Sequence, residues 1–123
     1  MDKDQHKRFE LIMAHMDYET GIKHFYEEVQ RGFNDHDLRA CYAQILDHSA
    51  QTLTGVSRHF RRFRARAMYK KVLRKNPNQI LALVGLGEYY LRSGHQKSLH
   101  YMKRALLVDE TDMRVNSLAA EIC

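Results

Sequence analysis

The stretch that decides the fold covers residues 80–112 and reads ILALVGLGEYYLRSGHQKSLHYMKRALLVDETD. Apolar and small residues recur in each half with the spacing of one helical face. The first face consists of Leu83, Leu86, Gly87 and Tyr90, and the second of Ser98, Tyr101, Met102, Ala105 and Leu106. A short turn at residues 93–95 separates them. The pattern predicts an antiparallel helix hairpin in which Gly87 and Ser98 let the two backbones approach closely.

This hairpin resembles a tetratricopeptide (TPR) repeat. The first helix of that family carries a large residue, a Leu-Gly pair and an aromatic, and the second carries a small residue, an aromatic and an Ala-Leu pair. The matching positions are Leu83, Leu86, Gly87, Tyr90, Gly94, Ser98, Met102, Ala105, Leu106 and Asp109. The sequence departs from the family pattern in a turn one residue shorter, in Met102 where an aromatic is usual, and in Glu110 where proline is typical.

The resemblance implies an all-α protein, built from antiparallel helix hairpins stacked as a short TPR-like superhelix of about seven helices. We expect a single domain over residues 1–123. Its parts are a degenerate repeat at about 4–32, an irregular repeat at about 36–78, a near-complete repeat at 80–112 and a capping helix at 113–123. One continuous helix over residues 4–32 remains an alternative. Gly32 is a natural helix stop, and Asn34 or Asp35 can cap the next helix.

Composition favours a globular helical chain, since hydrophobic residues make up 44% of it and only one proline is present. Cys41 and Cys123 form neither a disulfide framework nor a zinc motif. No run of about 18 apolar residues predicts a membrane span. The charged N-terminal sequence lacks the apolar core of a secretory signal. These features together predict a cytoplasmic protein.

Charge is distributed unevenly along the chain. Residues 1–47 carry six Lys/Arg and ten Asp/Glu, residues 48–87 carry nine Lys/Arg and no acid, and residues 88–123 carry five of each. The basic block predicts a basic helix face that consists of Arg58, Arg61, Arg62, Arg64, Arg66, Lys70, Lys71 and Arg74. The spacing of Phe60, Phe63 and Ala67 predicts that these three face the core.

If the arginines are solvated, the basic face can interact in several ways. It can form ion pairs with the acidic N-terminal hairpin, through Glu27, Glu28, Asp35 or Asp37. It can also bind an acidic partner protein or a second copy of the chain. Arginine interleaved with aromatics also makes nucleic acid an alternative ligand, although core-facing phenylalanines disfavour it.

The TPR resemblance further implies a concave groove lined by the first helix of each hairpin. The predicted groove residues are Leu81, Val84, Glu88, Leu91 and Arg92. Three of the five are aliphatic, which favours an apolar segment of another protein as the ligand. The alternative is that neighbouring helices, or the C-terminal helix, cover this stripe. A carboxylate clamp is not expected, because Leu81, Val84, Gly85 and Glu88 stand where the clamp-type TPR proteins carry lysine and asparagine.

These patterns predict a non-catalytic adaptor or chaperone, acting alone or as a homo- or hetero-oligomer. The layout of residues 85–87, 108–109 and 119–121 is similar to the small TPR chaperones of bacterial type III secretion, which shield apolar segments of secreted subunits. The alternative function is binding of nucleic acid, or docking on a larger assembly, through residues 58–75. No phosphate loop, nucleophile elbow or HExxH motif is present, and the histidine and cysteine spacings match no metal site. We therefore expect no enzyme activity, cofactor or metal.

Overall fold

The computed structural model describes residues 1–31 and 35–122. This part of the chain folds into seven helices and contains no strand, which confirms the predicted all-α class. The helices are α1 (Lys3–His15), α2 (Tyr18–Arg31), α3 (His36–Ala50), α4 (Gly55–Lys75), α5 (Ile80–Arg92), α6 (Lys97–Val108) and α7 (Met113–Ile122). None of these helices has the length and apolar character needed to cross a bilayer.

The chain forms two compact units, Met1–Met68 and Tyr69–Cys123, and the boundary falls inside α4. The first unit begins with a capping box. The Asp2 carboxylate accepts a hydrogen bond from the Gln5 backbone N–H at 2.8 Å, and the Gln5 side chain accepts one from the Asp2 N–H at 3.0 Å. Helix α1 ends at Met16, whose φ of 56° lies in the left-handed region. This break rules out one continuous helix over residues 4–31.

Helix α2 packs against both α1 and α3 in the first unit. Gly21 makes a close approach possible, because a Cβ there would lie 2.8 Å from Ile12 and 3.4 Å from Ile45. Asp35 caps α3 by accepting a hydrogen bond from the Leu38 N–H at 3.0 Å, one of the two caps predicted from the sequence. The other candidate, Asn34, and the predicted stop at Gly32 lie outside the described residues.

The second unit contains the predicted hairpin of α5 and α6. The rings of Tyr90 and Tyr101 stack across it, with centroids 5.7 Å apart and planes 3° from parallel. Gly94 occupies the turn with a φ of 68°, a conformation that costs glycine little. Ser98, Met102 and Ala105 are buried on α6, as the spacing predicts.

Helix α7 packs against both α5 and α6. Asp112 caps it, since its carboxylate accepts hydrogen bonds from the backbone N–H groups of Arg114 at 2.8 Å and Val115 at 3.3 Å. Val115 and Leu118 are buried. The interpretation of Gly87 needs a correction, because the atoms nearest to a Cβ at this position would belong to Leu118 of α7, the closest of them at 2.5 Å. The missing side chain therefore makes room for the last helix.

Candidate functional site

The groove predicted on α5 is not an open apolar surface. Leu81 is 4% exposed and Val84 is 1% exposed, so the expectation that both are free to bind a partner is wrong. The physical reason lies in the sequence ILALVGL, which is apolar on every side of the helix, as is typical of a fully buried helix. Of the other predicted groove residues, Glu88 and Leu91 are half-buried and Arg92 is exposed.

The orientation predicted for α4 is also wrong. Phe60 and Phe63 were expected in the core, but they are 59% and 51% exposed, and Ala67 is exposed as well. The buried side of α4 consists instead of Ala65, Tyr69, Val72 and Leu73. The helix carries two apolar faces. The face that continues to the C-terminal end of the helix is the buried one.

The exposed face of α4 begins one residue after its start. Val56, which is 86% exposed, precedes Phe60 by four residues and Phe63 by seven. Residues with this spacing lie on one side of a helix, one turn above another. We call these three residues the α4 stripe. Three large apolar side chains in one row form a contiguous patch, and such patches mark interaction sites more often than scattered exposed residues do.

Basic side chains flank the α4 stripe. The guanidinium of Arg66 lies over the Phe63 ring, 5.4 Å from its centroid. Further along α4, Lys71 and Arg74 are exposed. Because residues 48–87 contain no acid, no carboxylate from this stretch neutralises them. The stripe is therefore an apolar surface in a positively charged setting.

Two members of the predicted basic face hold α4 to its neighbours within the first unit. Arg61 forms a two-pronged ion pair with Glu19 of α2 and donates a hydrogen bond to the Ser49 hydroxyl at 3.1 Å. Arg64 donates to the Tyr42 hydroxyl at 3.3 Å. The expectation that these two arginines are solvated is therefore wrong. Arg62, Arg66 and Lys70 are partly buried, which leaves Arg58, Lys71 and Arg74 as exposed members.

The carboxylate that pairs with Arg61 lies outside the predicted set. Glu27, Glu28, Asp35 and Asp37 were the expected carboxylates, but Glu19 makes the ion pair with Arg61. Glu27 lies 3.8 Å from Arg31, and Glu28 lies 3.2 Å from His24. The Asp35 carboxylate is 2.6 Å from the amino group of Met1. The difference arises because the helix register decides which carboxylates face α4.

The Glu19–Arg61 pair predicts a pH dependence of stability. The hydrogen bond from Arg61 holds the pKa of the Glu19 carboxyl below its ordinary value, which is about 4.3 in an unfolded chain. A lowered pKa stabilises the fold above the unfolded value, and this contribution is lost as the pH falls through the folded value. Glu19 is 61% exposed, so solvent screening keeps the contribution below about 1 kcal/mol.

We therefore expect Glu19→Gln to lower the melting temperature slightly at pH 7, with the difference from the parent chain shrinking below pH 4. The control is Glu10→Gln, which changes an exposed glutamate on α1 by the same charge. Thermal melts followed by circular dichroism from pH 3 to pH 8 measure this. A difference that grows in acid would contradict the assigned pair.

Other chemistry is sparse in the described ranges 1–31 and 35–122. No group of three or more His, Cys, Asp or Glu side chains there is arranged to hold a metal ion. Cys41 is buried, and its Sγ lies 3.6 Å from the Met1 Sδ. The α4 stripe with its basic border is thus the strongest candidate site.

Comparison with protein-family models, curated proteins and solved structures finds no match to the chain.

Proposed function

We propose that the chain is a non-catalytic protein-interaction module that binds an apolar, acid-flanked segment of another protein along the α4 stripe. The observation that carries the proposal is the exposure of Val56, Phe60 and Phe63 in one helical row. Apolar side chains one turn apart on a helix pack against the apolar face of a partner segment, and they insert as anchors between its side chains. The basic border favours a segment whose apolar face is flanked by Asp or Glu, because opposite charges at the edge of an interface align the partners.

Nucleic acid is the second candidate, and exposure of Phe60 and Phe63 makes it stronger than the sequence suggested. Bases stack on exposed aromatic rings that lie beside arginines. Two observations favour protein. Val56, an aliphatic residue with no stacking face, extends the same row, and Arg61 and Arg64 already bond to α2 and α3. Fewer cations remain for phosphates than the sequence count implies.

The TPR resemblance stays part of this proposal, since a helix hairpin with stacked tyrosines and a packed last helix suits a TPR-like interaction module. The narrower resemblance to type III secretion chaperones depends on the layout of residues 85–87, 108–109 and 119–121, and it stays a prediction. The aliphatic groove of Leu81, Val84 and Leu91 does not support it, because the first two are buried. We propose that the binding surface lies on α4 and that the protein acts as a chaperone or adaptor, meaning a non-catalytic module that binds another protein.

The proposal predicts that Phe60→Ser combined with Phe63→Ser abolishes partner binding while the fold remains intact. Buried aromatic anchors often contribute about 2 kcal/mol or more each to binding, so the double variant should bind at least about a hundredfold more weakly. The measurement is co-purification from the native host, followed by titration of the recovered protein. The matched control is Leu99→Ser with Leu107→Ser, which removes two exposed apolar side chains from α6.

Each outcome of this comparison has a defined meaning. The proposal predicts capture that survives nuclease treatment, weakens with salt and fails only with the α4 variant. Capture that nuclease abolishes would assign the stripe to nucleic acid, with a steep salt dependence. Recovery of only a second copy of this chain would make the stripe a self-association surface. Equal loss with the α6 control would show that the α4 stripe is not the binding site.

A further inference from the structure

A pocket of about 540 Å³ lies in the first unit between α2, α3 and α4. Its lining consists of Ile22, Lys23, Tyr26, Glu27, Tyr42 and Arg64. Three helices contribute walls, and the volume falls within the range of small-ligand sites. A hollow of similar volume, about 560 Å³, borders α6, and its described lining residues all belong to that helix or to the turn before it. The pocket in the first unit is open to solvent, but it differs from this hollow in having walls from three helices.

The apolar part of the pocket comes mainly from α2. Ile22 is half-buried. Tyr26 has a large aromatic side chain, yet half of its surface is exposed. Tyr42 of α3 is 2% exposed, so its hydroxyl is the end of an otherwise buried side chain. An apolar group of the size of a benzene ring would cover the exposed side of Tyr26 and displace water from Ile22.

The polar part of the pocket is mainly cationic. Arg64 donates a hydrogen bond to the Tyr42 hydroxyl at 3.3 Å, which restrains its guanidinium at the pocket wall. One such bond leaves further N–H donors of the guanidinium available. Lys23 adds a second positive charge from α2. Among the lining residues that the structure describes, Glu27 is the one carboxylate. It lies 3.8 Å from the Arg31 guanidinium, which offsets part of its charge.

We propose that this pocket binds a carboxylate carried on an aromatic or branched aliphatic group. The carboxylate accepts hydrogen bonds from Arg64 and is attracted by Lys23, and the apolar group packs against Ile22 and Tyr26. Arginine recognises carboxylates well because its planar N–H groups match the two oxygens. A free carboxylic acid and the C-terminal residue of a peptide both carry this chemistry. This site is separate from the α4 stripe and does not depend on it.

The test is a titration followed by amide NMR shifts, with 3-phenylpropionate as the probe and 3-phenylpropionamide as its uncharged control. We expect saturable shifts with the acid at α2, α3 and α4 and much smaller shifts with the amide. Lys23→Met should weaken binding about fivefold, as loss of one partly screened charge pair does. Lys7→Met is the matched control, because it removes an exposed lysine from α1.

A third variant tests whether the charge of the lining acts on the ligand's carboxylate. Glu27→Gln should tighten binding of 3-phenylpropionate, because it removes the one negative charge in the lining. If Glu27→Gln weakens binding of 3-phenylpropionate and Lys23→Met strengthens it, the charges of the lining do not act on the carboxylate as proposed, and the proposal fails. Absence of acid-dependent shifts at tens of millimolar probe, or equal shifts with the amide, also overturns it.

Two further probes distinguish the sources of the carboxylate. N-acetyl-Ala-Phe with a free C-terminal carboxylate and the same peptide as its C-terminal amide are titrated beside 3-phenylpropionate. Tighter binding of the free peptide than of the small acid supports a peptide terminus as the ligand. Tighter binding of the small acid supports a free metabolite of that class. Failure of both carboxylates to bind contradicts the proposed site.

Discussion

Leu81→Glu combined with Val84→Glu should abolish cooperative folding. Both side chains are nearly inaccessible, so the double variant would place two carboxylates in an apolar environment. An unpaired charge in the interior costs several kcal/mol even after relaxation. Two such costs are comparable with the entire stability of an ordinary domain, about 5–15 kcal/mol. The measurement is a thermal melt followed by far-ultraviolet circular dichroism, in which we expect a broad, weak transition or none.

The control for this experiment introduces the same charges on the surface of the same unit. Leu107 and Met113 are 88% and 83% exposed, so Leu107→Glu with Met113→Glu should melt close to the parent chain. If the α5 variant keeps its helical content and a sharp transition while binding is lost, Leu81 and Val84 line an accessible groove after all. That outcome would restore the binding surface that the sequence predicted.

Gly85→Ala should destabilise the protein although alanine is the better helix former. A Cβ at position 85 would lie 2.3 Å and 2.5 Å from carbons of the Tyr69 ring, and Tyr69 is fully buried. The substitution gains about 1 kcal/mol of helix propensity, but overpacking against a rigid ring costs up to about 3 kcal/mol. We expect a net loss of about 2 kcal/mol, which corresponds to roughly 10 °C in melting temperature.

A double-mutant cycle isolates the contact that causes this loss. Tyr69→Ala alone should cost about 3–5 kcal/mol, because it empties a buried aromatic site. With the ring gone, Gly85→Ala should become neutral or slightly stabilising, so the two substitutions should couple strongly. Gly87→Ala is the comparison, since its contact is the flexible end of Leu118, which can move. Additive effects of Tyr69→Ala and Gly85→Ala would show that the ring does not fill the space beside Gly85.

The helices and the α5–α6 hairpin could be predicted because their signals are local. A glycine turn, a cap at Asp35 and a row of apolar residues three or four apart fix where a helix starts, ends and packs. The stack of Tyr90 on Tyr101 and the burial of Met102 follow from that row. These features depend on residues within two adjacent helices.

The candidate site could not be predicted in the same way, because it depends on which face of a helix the rest of the chain covers. Phe60 and Ala65 belong to two different apolar rows of α4. The row of Ala65 continues through Tyr69, Val72 and Leu73 at positions that resemble a TPR second helix, which favours its burial, but the spacing of Phe60, Phe63 and Ala67 also suits the core. One signal was available for α5. Its apolar residues surround the helix completely, which indicates burial of Leu81 and Val84 rather than a groove. For the Arg61–Glu19 pair no local signal exists, since 42 residues separate the partners.

The central claim is that the α4 stripe contacts a partner protein, and site-specific crosslinking in the native host tests it most directly. Phe60 is replaced by the photoreactive residue p-benzoylphenylalanine, and Leu107 is replaced in a parallel chain as the exposed control on α6. We predict an adduct with a partner protein at position 60 that resists nuclease, decreases when Phe63→Ser is added and is absent at position 107. No adduct at position 60, a nuclease-sensitive adduct, or equal yields at both positions would contradict the claim.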